Sequence, residues 1–165
     1  MPASTRPLLA LSIAALATVA LLPGCGGGGG DAGDLTKAEV IAKGNEICRQ
    51  GDRQYTELQK NPPKTSEEAA TLTQKLIAIT NSEVDQIGAL NAPEEVRPAV
   101  ERYLKARQSG LAVLEQGLKA AENNDARTYA AAQAKMAAGQ VDRLKLAQAV
   151  GFTDCSRPGG SSSGG

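Results

Sequence analysis

The chain of 165 residues has no His, no Trp, one Phe, three Tyr and three Cys. Without His it lacks the commonest general base, the commonest metal ligand and the side chain that titrates near neutral pH. Ferritin-like metal sites built on Glu-x-x-His, haem attachment through Cys-x-x-Cys-His, and a serine nucleophile activated by imidazole are excluded with it. No cofactor is expected. Neither sign of charge is in excess, since 18 basic residues balance 18 acidic ones. A nucleic-acid partner is therefore not expected, because it needs a clustered basic surface to neutralise phosphates. Long apolar runs are also scarce. The most extended, Leu8 to Leu22, has 15 residues, whereas a membrane-spanning helix needs roughly 20.

What is present begins with an address. Residues 1–24 carry a basic side chain at Arg6, the short apolar run, and Pro23-Gly24 ahead of Cys25. That order reads as an export signal with a small residue before the cut. Leu22-Pro23-Gly24-Cys25 resembles the lipobox of bacterial lipoproteins: an aliphatic residue, a tolerant position, a small residue and an obligatory Cys. The resemblance implies cleavage before Cys25 and transfer of a diacylglyceryl group to its thiol. Two acyl chains hold a protein on a membrane where one gives only marginal, reversible binding. A secreted chain with an incidental Cys near the cut is the alternative. Residues 25–34 continue with Gly26 to Gly30 and Asp31-Ala32-Gly33-Asp34, a flexible tether with a root-mean-square reach of roughly 17 Å. A phosphate-cradling loop does not fit, since no strand precedes the glycines and no Lys-Ser/Thr pair follows them. Residues 156–165, SRPGGSSSGG, have the composition of a disordered tail.

Residues 35–155 read as the folded domain. Between Leu35 and Val150 the apolar residues recur every three to four positions, the period of a helix and not of a strand. Thr36 with Glu39, and Thr65 with Glu68, have the spacing of capping boxes, and Leu35 with Val40 that of a hydrophobic staple. Helix one carries Val40, Ile41, Gly44, Ile47, Cys48, Gly51, Tyr55 and Leu58 on one face and stops at Asn61-Pro62-Pro63, where two prolines remove donors. Helix two carries Leu72, Leu76, Ile79, Ile87 and Leu90 up to Asn91-Ala92-Pro93. Helix three has the clearest seam: Val100, Leu104, Arg107, Leu111, Leu114, Leu118 and Ala121. Its start is open, because Pro93 suits a first turn while Pro98 would break a helix already under way. Asp125 caps an Ala-rich fourth helix that runs on to Gly151, a residue suited to the left-handed conformation, with Phe152 folding back towards Leu146 or Ala147. Four long helices with short connections predict an all-α, antiparallel up-down four-helix bundle.

With Cys25 acylated, two thiols remain in an oxidising context, Cys48 and Cys155. A bond between them closes a loop of about 106 residues, worth roughly 4 to 5 kcal/mol by chain entropy. In an up-down bundle the end of helix four lies beside the start of helix one. Cys48 sits roughly 18 Å along helix one, and the four steps from Gly151 to Cys155 reach up to about 13 Å. The tail must therefore run back along helix one. The rival is a reactive Cys48 thiol, which would stand on an apolar stripe without a His partner.

Taken together, the lipobox, the Gly-rich tether, LTKAEVIAKGNEIC, the Ala-rich helical middle and the closing GFTDC resemble small exported lipoproteins of high-GC Gram-positive bacteria, many of them uncharacterised. Their helical domain looks bracketed by an early and a late Cys, which match Cys48 and Cys155. The resemblance implies a helical envelope lipoprotein and brings no catalytic residue.

Little in the chain points to chemistry. Glu67-Glu68 and Glu94-Glu95 fall in expected first turns, where they complement the helix dipole, and adjacent residues do not face each other on a helix. Arg107 interrupts the seam of helix three. It is expected at the bundle edge with its stem buried and its head wet, the alternative being an anion or a partner carboxylate within the bundle. The Ala-rich face of helix four is either a docking surface or simply helix propensity. The functional expectation is a module that is not an enzyme: a lipoprotein on the outer face of the cell membrane, anchored through Cys25, that binds an envelope protein or serves as structure. The alternative is a carrier of a small apolar molecule or lipid between the helices.

Overall fold

The computed structural model describes residues 35–157. The expected export signal, Cys25, the expected glycine tether and most of the expected C-terminal tail lie outside them. Every regular element among the described residues is a helix: α1 Lys37–Gln59, α2 Ser66–Gly88, α3 Arg97–Glu122, α4 Ala126–Ala138 and α5 Gln140–Val150. The short connections turn each long helix back on the one before it, giving the expected up-down arrangement. α2 packs on α1 and α3, and α3 packs on both α4 and α5. None of the described helices is long and apolar enough to cross a membrane.

The helix starts follow local chemistry. Thr36 and Glu39 close a capping box, with Glu39 N–H donating to the Thr36 hydroxyl at 3.3 Å and Thr36 N–H donating to the Glu39 carboxylate at 2.8 Å. At α2 only half of the expected box forms. Glu68 N–H donates to Thr65 Oγ1, but the Glu68 carboxylate accepts from Lys64 N–H, one residue earlier. α3 begins at Arg97 and takes Pro98 into its first turn, where a missing N–H costs nothing. Pro93 starts the preceding turn, accepting from Val96 and Arg97 N–H. Asp125 caps α4 through Thr128 N–H at 3.0 Å.

The expected fourth helix is not continuous. It breaks at Gly139 into α4 and α5, for two reasons. Glycine is the weakest helix former other than proline. Beside it, the Arg143 guanidinium donates from Nη2 to the Met136 carbonyl at 2.8 Å, satisfying an acceptor that the interrupted ladder leaves free. α5 then ends as expected. Gly151 adopts φ 98°, and the N–H groups of Gly151 and Phe152 donate to the carbonyls of Gln148 and Ala147, a Schellman closure.

Two apolar clusters hold the bundle, one towards each end. At the end where the helical domain begins and finishes, Val40, Cys48, Ile87, Val96, Val100, Tyr103, Ala147, Val150 and Phe152 form the larger one. At the far end Ala69, Ala70 and Ala121 form a small one with Leu118 and Tyr129. Phe152 is completely buried and meets the edge of the Tyr103 ring, with centroids 5.7 Å apart. It fits only because α1 offers a glycine there, since a Cβ on Gly44 would overlap the Phe152 ring.

Candidate functional site

Between the two apolar clusters the bundle carries a polar layer. Glu83 of α2 is buried at 5% exposure and forms an ion pair with Arg107 of α3. The carboxylate fits because Gly51 of α1 has no side chain, and a Cβ there would overlap Glu83. Tyr55 of α1 shares a hydrogen bond with the Thr80 hydroxyl and accepts from Arg107 Nη2 at 3.4 Å. Arg107 Nε is buried and has no hydrogen-bond partner among the described residues. The expected place of Arg107 at the wet edge is therefore wrong. Its guanidinium turns inward, because an acid on the next helix compensates the charge in a region of low dielectric.

This layer opens into a cleft of about 160 Å³ between α1, α3, α5 and the turn 151–157, lined by Asp52, Tyr55, Tyr103, Arg107, Gln140 and Arg143 among others. A second recess of about 230 Å³ shares Tyr55, Arg107, Gln140 and Arg143 and continues towards Leu76, Leu114 and Met136. Burial first, and the Arg107 guanidinium as the next cause, lower the pKa of Arg143. The two arginines thus repel each other across a shared recess.

The C-terminal turn forms one wall of the cleft. Cys48 and Cys155 are joined, with Cα atoms 5.1 Å apart. The turn runs back along α1 as the chain lengths require. Asn45 receives Asp154 N–H at 2.9 Å and reaches Gly151 O, and Arg49 Nη1 donates to Asp154 at 2.6 Å. Ser156 and Arg157, expected in the tail, still belong to this turn. Ser156 donates to the Thr153 carbonyl, and Arg157 lies 3.1 Å from Asp154.

Tyr103 Oη lies 3.9 Å from Cys48 Sγ. Burial, and to a lesser extent Tyr55, push the Tyr103 phenol well above its ordinary value, with Arg143 opposing. A phenol whose folded pKa is raised contributes stability below its unfolded value of about 10 and loses it as pH rises further. In an absorbance titration, one tyrosine should therefore ionise only as the domain unfolds, and Tyr103→Phe should remove that step. If all tyrosines ionised near pH 10 with the far-UV spectrum intact, Tyr103 would not be in this buried setting.

Of the residues expected to matter, the structure brings Cys48 and Cys155 together, while Cys25 lies outside the described residues. Sequence reasoning missed Glu83, Arg143, Asn45 and Arg49, and placed Tyr55 on the inner face of helix one without a polar role. Among the described residues, no group of three His, Cys, Asp or Glu is gathered to hold a metal ion. Comparison with family models, curated proteins and solved structures found no match for this chain.

Proposed function

We propose that the chain is an exported lipoprotein, anchored through Cys25 on the outer face of the cell membrane, whose helical domain acts as a binding or structural module of the envelope without catalytic turnover. The observation that carries this reading is the pairing of Cys48 with Cys155, since such cross-links persist in oxidising compartments outside the cytosol. Leu22-Pro23-Gly24-Cys25 supplies the anchor and Gly26 to Gly30 the tether. The likeness to small lipoproteins of high-GC Gram-positive bacteria points the same way. The cleft supports binding over turnover, because arginines, phenols and carboxylates line it, with Glu83 and Asp154 held in ion pairs, and such groups hold and orient a ligand. An apolar carrier has less support: Phe152 fills the space beside Gly44, and both recesses beside the arginine layer contain charged groups.

Intact mass of protein purified from its own membranes without reductant tests the reading. The expected species starts at Cys25, is heavier by a diacylglyceryl group and lighter by two hydrogens. An unmodified Cys25 would remove the anchor. A lipid that co-purifies natively and is lost on denaturing would move the reading to the carrier. Substrate turnover abolished by changing one polar residue would make the protein an enzyme.

A further inference from the structure

We infer that the recess beside Arg107 and Arg143 binds a small oxyanion, the phosphate or carboxylate group of a soluble ligand. The inference rests on the reading of the domain as a binding module and names the chemistry that this module would recognise. Three features of this second recess, of about 230 Å³, carry it.

The first is the charge balance around the arginines. Arg107 engages Glu83, while Arg49 and Arg157 engage Asp154. Asp52 lines the neighbouring cleft and forms no ion pair among the described residues. Arg143 has the Met136 carbonyl as its hydrogen-bond acceptor and no carboxylate. In the second recess, which Asp52 does not line, the two guanidiniums therefore meet with Glu83 pairing Arg107 and no carboxylate in the lining, and like charges held in a partly dry site raise each other's cost.

The second feature is the unfilled donor. Arg107 Nε is buried without a partner among the described residues, a state that buried N–H groups rarely keep because it carries a desolvation penalty. The third is the lining. Tyr55, Gln59, Thr80 and Gln140 bring hydroxyl and amide donors to that second recess, and no carboxylate lines it. An oxyanion only accepts hydrogen bonds, so it suits a wall of donors, and guanidinium gives it charge-assisted, two-pronged contacts. A recess of about 230 Å³ takes such a group with a short organic stem, since a water molecule's share of liquid volume is about 30 Å³. A purely structural role for Arg143, as the clamp on the α4–α5 break, accounts for its Nη2 contact. It leaves unexplained the bare Nε of Arg107 and the second guanidinium beside it.

The test titrates the full mature protein, disulfide intact, with inorganic phosphate, glycerol phosphate and acetate, each against chloride at constant ionic strength. At least one oxyanion should raise the melting temperature by several degrees more than chloride does. It should also shift the Nε–Hε NMR signals of Arg107 and Arg143. Arg143→Gln should lose the response, and Arg53→Gln, which removes an exposed arginine outside the cleft lining, should keep it. A preference for acetate would mark a carboxylate ligand. Among the phosphates, a stronger response to glycerol phosphate would indicate a headgroup-like source, and an equal one a free ion. No oxyanion-specific shift in the unaltered protein would overturn the inference, as would a response that survives in Arg143→Gln. The NMR signals of the unaltered protein decide the matter even if Arg143→Gln fails to fold. The mass measurement on Cys25 and the disulfide judges the anchored-module reading separately.

Discussion

Breaking the Cys48–Cys155 bond, by reductant or as Cys48→Ser with Cys155→Ser, should lower the stability of the domain by about 4 to 5 kcal/mol. The bond joins residues 107 positions apart, so nearly the whole described domain lies within the loop that it closes in the unfolded chain. For a domain of this size the loss corresponds to a fall in melting temperature of roughly 15 °C. The fold itself should survive. Phe152 remains buried in the larger apolar cluster, and Asn45 and Arg49 still hold Asp154. Far-UV circular dichroism should accordingly be unchanged at low temperature, with the midpoint in urea displaced. A loss of under about 1 kcal/mol would mean that packing at this end already restrains the unfolded chain.

The second large effect is expected at the buried ion pair. Arg107→Met should cost about 3 to 5 kcal/mol, and so should Glu83→Met, because each leaves a charge without compensation in a dry site. Glu83 has little means of relief. It is 5% exposed and pressed against Gly51, so it cannot swing out to water. The double variant Glu83→Met/Arg107→Met should recover most of the loss, since replacing a whole buried pair by apolar side chains is often neutral or stabilising. Urea unfolding of the two singles and the double measures the coupling directly. Singles within about 0.5 kcal/mol of the parent would show the pair to be solvated and would remove the polar layer as a feature of the core.

The two predictions differ in how far the sequence foretold them. The disulfide followed from counting thiols and measuring chain lengths. The ion pair stood only as the alternative for Arg107, the one charged residue in an otherwise apolar seam. Its partner was hidden. Glu83 lies between Ser82 and Val84, close to Asp85, and reads as one more solvated acid on a helix surface. Only the neighbouring helix makes it a core residue, by placing Gly51 where a side chain would have excluded the carboxylate. Thr73 and Thr80, also buried, escaped an apolar count for the same reason. Conversely, Leu72 and Leu76 belong to the expected stripe of α2 and are only half-buried.

The break at Gly139 shows the same division. Its glycine weakens any helix, and the sequence contains many glycines that a helix tolerates: Gly44, Gly51, Gly110 and Gly117 all lie within continuous helices. What makes Gly139 a break is the Arg143 side chain folding back onto the Met136 carbonyl, a contact that composition does not signal.

By itself the sequence determined the all-helical class, the positions of most helix ends and the cysteine pair. These depend on interactions within about five residues or on simple chain reach, such as Thr36 with Glu39, Pro98 in a first turn and the left-handed Gly151. The tertiary structure decided which polar residues became core, where the fourth helix divides, and that two arginines meet in one cleft. Those outcomes depend on the dielectric and the free space that other helices create around a side chain. That setting arises only when residues from α1, α2, α3 and α5, distant in the chain, come together.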